Sequence, residues 1–264
     1  MTYYINGLTL TDAYMLTRTV GDSWQLANNA AERYPYIEQT AQQPSQFALN
    51  MIFAETGRYD MITSIKAEIH NCEKVLLQSS DKYLYGNDKH VWIAQTAFNI
   101  SEAGGKIVKG QLTGTIDPYQ IHSCDFITDW TGTALSVVTA HEGKYAVQDN
   151  IASPSGSTNY DTTYNPDWTH DLSDFTYLTF WFKNSRASTA FTAARVFVQT
   201  SDSNYYYWNL TFSSGSWAFM DCELASPDGT VGSPSLSTVG QIVIRITTAD
   251  TVAFYSNIDD IRVY

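Results

Sequence analysis

The sequence predicts a mainly β protein of two domains, and three observations lead to this. The chain has 264 residues, more than a single hydrophobic core usually organises. Aromatic residues make up 14% of it, whereas charged residues make up only 16%. Short apolar runs separated by Gly, Ser, Asn and Pro clusters fill the second half, a pattern typical of antiparallel strands joined by turns. We therefore expect a β-barrel or β-sandwich with one helix in residues 1–118 and an antiparallel jelly-roll sandwich in residues 119–264.

The first domain combines strands with one helix. FALNMIFAETG, residues 47–57, has the composition of a strand closed by a glycine turn. RYDMITSIKAEIHNC, residues 58–72, places Met, Ile, Ile and Ile at spacings of three and four, which predicts a helix. Residues 74–116 contain further strands, with hairpins predicted at residues 86–88 and at Gly104–Gly105. The segment from Asp117 to Cys124 is the predicted linker.

The second domain contains eight predicted strands and no convincing helix. They lie in TALSVVTA, KYAVQDN, YLTFWFKN, ARVFVQTS, NYYYWNLTF, WAFMDCEL, QIVIRIT and SNIDDIRVY. Because side chains alternate between the two faces of a strand, each run can be divided into an inward and an outward set. The inward set is almost purely apolar and is expected to line the core; it consists of Leu178, Phe180, Phe182, Val196, Val198, Tyr206, Trp208, Leu210 and Phe212.

The outward set of three of these strands mixes aromatic rings with hydrogen-bonding groups. A pyranose stacks its C–H face on an aromatic ring while its hydroxyls need donors and acceptors beside that ring. We therefore expect the three strands to share one carbohydrate-binding face. The alternative is that this face packs on another domain or subunit, because Tyr, Trp and Arg are also enriched at interfaces. The candidate carbohydrate-binding residues are Tyr177, Trp181, Arg195, Gln199, Tyr205 and Tyr207.

Charge and motifs argue against several classes of function. The formal net charge is −12 and no basic run occurs, so binding to nucleic acid is not expected. The first residues, MTYYINGLTLTD, lack the features of a signal peptide, and no apolar stretch is long enough to insert into a membrane. The three cysteines form no CxxC pair and are expected to be buried free thiols. No catalytic motif occurs and no pair of acids is placed together, so we do not expect an enzyme.

The closing strand, SNIDDIRVY, contains two adjacent acids. Strict alternation would place Ile258 and Asp260 on one face and Asp259 and Ile261 on the other. One acid can face water, and the other then needs a partner at the edge of the sandwich. Alternation alone does not say which of the two is which.

Residues 121–264 resemble carbohydrate-binding modules of the jelly-roll, galactose-binding-like type. The resemblance is carried by HEGKYAV, HDLSDFTYLTFWFKNS, RVFVQTSDSNYYYWNLTF, SWAFMDCEL and SNIDDIRVY, in that order. It implies one structural calcium ion, held by an acid of the last strand, an acid near the first strand and carbonyls around the Glu-Gly-Lys turn. On this basis Asp259 is the first candidate ligand, and Asp125 and Glu142 are the next. Calcium binds six to eight oxygen ligands, which carboxylates and carbonyls supply.

Residues 45–116 resemble, in pattern alone, the ring-forming domain of tailed-phage distal tail and baseplate hub proteins. This implies a structural protein of the virion tail tip, made in the host cytoplasm. It would form a homo-oligomeric ring, contact other tail proteins, and touch host surface glycans through its jelly roll. One alternative is a non-catalytic carbohydrate-binding protein of an extracellular glycan-degrading system. The other is a purely structural tail protein that binds no sugar.

Overall fold

The computed structural model describes the whole second half of the chain and parts of the first half. The described residues are 3–6, 8–9, 13–21, 46–53, 58–72, 74–79, 90–103, 107–117 and 119–264. They form two compact units, Met1–Pro118 and Tyr119–Tyr264. The predicted hairpins at residues 86–88 and at Gly104–Gly105 lie outside the described residues.

The first unit contains, in its described part, one helix and one antiparallel sheet of seven strands in the order β2-β1-β5-β6-β7-β4-β3. The helix forms because apolar residues recur on one side of it: Ile62 and Ile65 are buried, and they join the core of the sheet. The predicted helix is confirmed. The elements are β1 Tyr3–Ile5, β2 Leu8–Thr9, β3 Ala13–Gly21, β4 Gln46–Phe53, α1 Arg58–Asn71, β5 Lys74–Ser79, β6 His90–Ala103 and β7 Ile107–Ile116.

The second unit is built from twelve strands. All eight predicted strands are present, and four further ones, β8, β9, β12 and β17 in the numbering below, were not predicted. Two single turns of 3₁₀ helix, Ser188–Ala190 and Leu236–Thr238, are its only helical segments. The strands are β8 Gln120–His122, β9 Trp130–Thr131, β10 Leu135–Thr139, β11 Tyr145–Ile151, β12 Asn159–Tyr164, β13 Tyr177–Asn184, β14 Phe191–Ser201, β15 Asn204–Asn209, β16 Ala218–Glu223, β17 Gly229–Val231, β18 Gln241–Thr248 and β19 Phe254–Val263.

These strands form two antiparallel sheets that enclose one core, which confirms the predicted sandwich. We call them sheet II, in the order β10-β11-β19-β13-β16 with β8 beside β19, and sheet III, in the order β17-β15-β14-β18-β12-β9. The core takes apolar side chains from both sheets. The inward set predicted from alternation is confirmed: eight of its nine members are buried in this core, and Tyr206 packs against it.

The predicted linker is too long. Residues 120–122 form β8, which pairs with β19 of sheet II, and the Gln120 side chain donates to the carbonyl of Ile261 at 2.9 Å. Only three residues make this strand, so no alternating pattern marks it in the sequence. The segment Asp117–Cys124 therefore contributes its second half to the sandwich.

All three cysteines are free and buried, as predicted. Cys124 and Cys222 lie in the core of the second unit, and burial raises the pKa of the Cys222 thiol to about 12. Cys72 accepts a hydrogen bond from the Asn6 amide at 3.2 Å. Among the described residues, no helix has the length and apolar character needed to cross a membrane.

Candidate functional site

The outer face of sheet III carries four of the six predicted carbohydrate-binding residues. Arg195 and Gln199 lie on β14, and Tyr205 and Tyr207 on the neighbouring β15. Gln199 pairs directly with Tyr205, and the two strands keep this register back to the pair of Arg195 with Asn209; it shifts only beyond Gln199, toward the turn. Directly paired residues point to the same side of a sheet, so the four side chains share one face.

The other two predicted residues, Tyr177 and Trp181, lie on β13 in the opposite sheet. The prediction of one face shared by three strands is therefore wrong. The β13 and β14 strands follow each other in the sequence, but the chain crosses from sheet II to sheet III between them. Alternation separates inward from outward side chains, yet it does not tell which of the two sheets a strand joins.

Cross-strand pairing arranges the outer face of sheet III in three rows that run across the strands. The outer rows are mainly polar, whereas the middle row contains the aromatic and aliphatic side chains. The first row is Tyr205, Gln199 and Gln241; the second is Tyr207, Phe197, Val243 and Thr163; the third is Asn209, Arg195, Arg245 and Asp161.

A cleft of about 340 Å³ lies on this face. It is open on one side and bordered by strands β12, β14, β15 and β18, so a chain-like ligand could lie across the strands. We call it the sheet III cleft, and it is lined by Asp161, Thr163, Gln199, Asp202, Tyr205, Gln241, Val243 and Arg245.

Only Gln199 and Tyr205 of this lining were predicted. The alternation in QIVIRIT places Gln241, Val243 and Arg245 on one side, so a face analysis of that run would have found them. Asp161, which the sequence analysis did not assign to any strand, lies on β12. That strand was missed because its inner positions include the polar residue Thr162, which hydrogen-bonds the buried Asp149.

Phe197 is the centre of the aromatic part of this face. Its ring contacts Tyr205 edge-on at 5.2 Å between centroids and Tyr207 at 5.9 Å. The guanidinium of Arg245 lies 4.9 Å from the Phe197 centroid, and that of Arg195 lies 4.7 Å from the Tyr207 centroid. Phe197 is only 3% exposed under these neighbours, so Tyr205 and Tyr207 present the aromatic surface.

Two polar networks fix the cationic side chains. Arg245 donates to both oxygens of Asp161 at 2.7 Å, and this hydrogen bonding raises the pKa of Arg245. Arg195 donates through Nε to Asn209 at 2.9 Å, and Asn209 in turn donates to Asp228. Both arginines are thereby held in one geometry, Arg245 by an acid directly and Arg195 by an amide that an acid holds in turn.

Trp181 belongs to a second aromatic group, on the outer side of sheet II. We call it the sheet II cluster, consisting of His141, Trp181, Trp217 and Phe219. The His141 imidazole stacks on the Trp181 indole at 3.7 Å between centroids with an angle of 24°. Phe219, which is 52% exposed, meets the same indole edge-on at 5.2 Å. The indole N–H of Trp181 donates to Oε1 of Glu142 at 3.0 Å.

The three predicted calcium ligands lie around the β10–β11 loop, residues 140–144. Oδ2 of Asp259 accepts from the amides of His141 and Glu142 at 2.8 Å each. Oδ1 of Asp125 accepts from the amide of Tyr145 at 2.9 Å. Two buried carboxylates therefore hold the two ends of this loop.

The remaining oxygen of Asp259, Oδ1, is buried without a hydrogen-bond partner among the described residues. Burial raises the pKa of Asp259 to about 7, and the neighbouring charges of Asp260 and Asp125 add to this against the two amide hydrogen bonds. An unpartnered carboxylate oxygen beside a second buried acid fits a hard cation such as calcium, because the cation would supply the missing partner and offset the two negative charges.

Glu142 fits this site less well than predicted. Its backbone amide contacts Asp259, while its side chain accepts from Trp181 at the exposed side of the loop. No group of three or more His, Cys, Asp or Glu side chains with metal-binding geometry occurs in the described part of the chain. A cation at Asp259 and Asp125 would therefore need backbone carbonyls or water for its other ligands.

The two adjacent acids of β19 do not alternate as predicted. Asp259 pairs with Trp181, which places it on the outer side of sheet II, where the β10–β11 loop covers it. Asp260 has a φ of 47°, and the register with β13 shifts at this point. Asp260 is thus the extra residue of a β-bulge. The bulge turns the Ile261 side chain into the core, whereas strict alternation would have placed it on the outer face with Asp259.

Comparisons with known proteins give distant structural likenesses only. No family model matches the chain, and no curated protein does. A family 11 carbohydrate-binding module from Clostridium thermocellum, in complex with a β-1,3-1,4-mixed-linked tetrasaccharide, is 11% identical, with a TM-score of 0.43, over 55% of this chain and 94% of that one. A family 30 carbohydrate-binding module is 18% identical, with a TM-score of 0.38, over 51% and 76%.

An exo-β-agarase is similar at the same level, with 13% identity and a TM-score of 0.43 over 55% of this chain and 24% of that one. The matched part is thus about a quarter of the agarase. At such identities and TM-scores a likeness carries no information on the ligand, so the function has to be argued from this chain's own residues.

Proposed function

We propose that the second unit binds neutral glycans in the sheet III cleft without catalysing their cleavage. The observation that supports this most is the combination, within one open cleft, of the Tyr205 ring with amide, hydroxyl and carboxylate groups from four strands. Tyr207 extends the aromatic surface beside the cleft through its contact with Phe197. Sugar rings need this pairing of a flat apolar surface with hydrogen-bonding groups at its border.

The charges of the cleft support a neutral ligand. Arg245 is the lining cation, and its Nε and Nη2 groups both donate to Asp161. Asp202 adds a further negative charge at the border. An anionic glycan would compete with Asp161 for Arg245 and would be repelled by Asp202, so uronic acid polymers are poor candidates.

The two-point pairing of Asp161 also supports a non-catalytic role. Both oxygens of this carboxylate accept a hydrogen bond from one guanidinium, so both are already engaged within the protein. Glycoside hydrolysis uses two carboxyl groups, one of which must act as an acid. The cleft is therefore equipped to hold a sugar rather than to cleave it.

Binding of the full chain to soluble polysaccharides tests the proposal. Affinity electrophoresis with mixed-linkage β-glucan, xylan and galactomannan is compared with polygalacturonate as the anionic polymer. We expect retardation by at least one neutral polymer and none by polygalacturonate. If all neutral polymers fail and a partner protein covers the face instead, the alternative of a packing surface is correct.

A pair of tyrosines on opposite sheets provides a matched control. Tyr205→Ala removes the ring that lines the cleft, whereas Tyr177→Ala removes one that is 39% exposed on sheet II. Loss of an aromatic anchor costs about 1–2 kcal/mol, so Tyr205→Ala should weaken binding on the order of 10-fold or more. Tyr177→Ala should leave it unchanged, and the reverse result would move the site to sheet II.

We also propose that Asp259 and Asp125 hold a structural calcium ion. The buried, unpartnered Oδ1 of Asp259 supports this. In the full chain, EDTA should lower the melting temperature by several degrees and added calcium should restore it, because a bound ligand at 100 times its Kd stabilises by about 2.7 kcal/mol. Asp259→Asn should abolish the calcium response, whereas the exposed Asp221→Asn should keep it. An unchanged melting temperature in EDTA would refute the site.

The role of the first unit stays a prediction drawn from its sequence pattern. We propose that it forms the ring of a virion tail tip, which would present several copies of the cleft and so increase avidity. Light scattering of the purified chain tests this, because a ring requires a large homo-oligomer. A monomer at high concentration would favour the alternative, a carbohydrate-binding protein of a glycan-degrading system.

A further inference from the structure

The β10–β11 loop joins a buried acid to an exposed indole. The backbone amides of His141 and Glu142 donate to Asp259 at 2.8 Å. The side chains of the same two residues hold Trp181, one by stacking at 3.7 Å and the other by accepting its N–H at 3.0 Å. Two consecutive residues thus contact Asp259 through the backbone and Trp181 through the side chains.

Pairing within sheet II explains why one short loop reaches both groups. Asp259 on β19 and Trp181 on β13 are directly opposite in the register, so their side chains leave the sheet on the same side. The loop lies over Asp259 and beside Trp181. A shift of the loop away from Asp259 would therefore remove the stacking partner and the hydrogen-bond acceptor of Trp181 together.

The loop is also fixed at its other end. Asp125 accepts from the amides of Lys144 and Tyr145, at 3.3 and 2.9 Å. The loop is thus held between two buried acids of like charge, and one oxygen of Asp259 is unpartnered. A cation between these acids would offset their repulsion and keep both as acceptors for the loop amides.

We propose that cation binding at Asp259 and Asp125 positions Trp181 through the β10–β11 loop. Glu142 is then a positioning residue for Trp181 and not a ligand of the cation. The proposal rests on the calcium site proposed above. It predicts that the shape of the sheet II cluster depends on the cation, while the sheet III cleft, on the other sheet, does not.

The test uses the full chain, stripped with EDTA and titrated with calcium, with melting temperature and tryptophan emission measured together. We expect calcium to raise the melting temperature of the wild type and to change its emission. Trp181→Phe should keep the rise in melting temperature and lose most of the emission change. Trp168→Phe, which removes an indole outside the sheet II cluster, should keep both responses.

Variants of Glu142 separate positioning from ligation. Glu142→Ala removes the acceptor of the indole N–H but keeps the backbone amide that contacts Asp259, so it should lose much of the emission change at an unaltered calcium affinity. Glu142→Gln keeps an acceptor oxygen and should restore the emission change. If Glu142→Ala instead weakens calcium binding 10-fold or more, Glu142 is a ligand and the positioning role is wrong.

Two further outcomes are distinguishable. In the first, calcium raises the melting temperature and the calcium-induced emission change persists in Trp181→Phe. This outcome overturns the coupling to Trp181 and leaves the calcium site intact. Absence of any calcium effect on the melting temperature overturns both the site and the coupling.

Discussion

Arg245 holds Asp161 across the β12–β18 pair through two hydrogen bonds of 2.7 Å each. Its guanidinium also lies over Phe197, so one side chain connects the polar and aromatic parts of the sheet III cleft. Arg245→Ala should cost about 1 kcal/mol of stability or less, because both partners are about a third exposed. It should also weaken glycan binding on the order of 10-fold, measured by isothermal titration.

The chain contains a matched control for this change. Arg186 forms a two-point pair with Asp250, at 2.8 and 2.7 Å, and lies 5.1 Å from the Phe191 centroid. Arg186→Ala thus removes the same kinds of contact at a site away from the cleft. It should reduce stability by a similar amount and leave glycan affinity unchanged. Equal losses of affinity in both variants would mean that the effect is one of general stability.

A single methyl group at Gly229 should displace Tyr207. A Cβ added there would lie 2.4 Å from the Tyr207 ring, and the ring would have to move. We expect Gly229→Ala to cost about 1–3 kcal/mol in stability through overpacking and to weaken glycan binding several-fold. Gly240→Ala is the control, because its nearest atom would be 3.9 Å away. If the Tyr207 ring is displaced in Gly229→Ala but glycan affinity equals that of the wild type, Tyr207 is not part of the binding surface.

The buried His122 should make the second unit sensitive to acid. Its Nδ1 accepts from the amide of Cys124 at 2.9 Å, and burial, together with the charge of His170, lowers its pKa to about 3. The rings of Phe126, Trp130 and Tyr164 pack against its imidazole. Because the unfolded chain binds this proton near pH 6.5, stability should fall as the pH drops from 6.5 toward 3, by up to about 1.4 kcal/mol per pH unit.

Urea unfolding of wild type and His122→Gln between pH 7 and 5 measures this contribution. Asp259 titrates in the opposite sense, since its raised pKa adds stability as the pH falls below about 7. That contribution is present in both proteins and cancels in their difference. The difference in free energy of unfolding between wild type and His122→Gln should therefore shrink as the pH falls. A difference that is independent of pH would show that His122 is not held neutral by the fold. His141→Gln, at an exposed position, serves as the control.

The bulge at Asp260 should tolerate only residues that accept a left-handed backbone. Its φ of 47° is accessible to Gly and Asn but strained for a β-branched side chain. Asp260→Asn should be nearly neutral, whereas Asp260→Val should cost about 1–2 kcal/mol, measured by urea unfolding. Asp221→Val, at an exposed position of the regular strand β16, should be tolerated. Equal stability of the two valine variants would contradict a strained bulge.

The sequence was sufficient for some features and not for others, and the physical reasons differ. Alternation in residues 177–184 correctly separated Phe180 and Phe182 from the outward residues, since burial of one face leaves a period of two. It could not place β13 and β14 in opposite sheets, because sheet membership depends on pairing between distant segments. Asp161 was missed because the polar inner residue Thr162 hides β12 in the sequence, whereas Arg245 could have been found from the alternation in QIVIRIT. That the two side chains meet depends on the β12–β18 pairing.

The last strand shows a second limit. The resemblance singled out Asp259 as the inward-pointing acid; it is buried, but it lies on the outer side of sheet II under the β10–β11 loop. The bulge at Asp260 is a backbone conformation that no local pattern specifies. The role of Glu142 depends on the position of Trp181, which lies 39 residues further along the chain. Contacts between residues so far apart in the sequence depend on the folded structure, so the sequence alone does not reveal them.

The buried free thiols have a consequence for the covalent chemistry of the protein. Without disulfides, its covalent structure is the same in a reducing and in an oxidising solution. A thiol reacts as the thiolate, and the raised pKa of Cys222, like that of Cys124, keeps the buried sulfur protonated. The bonds of the second unit are therefore insensitive to the redox potential of the surrounding solution as long as it stays folded.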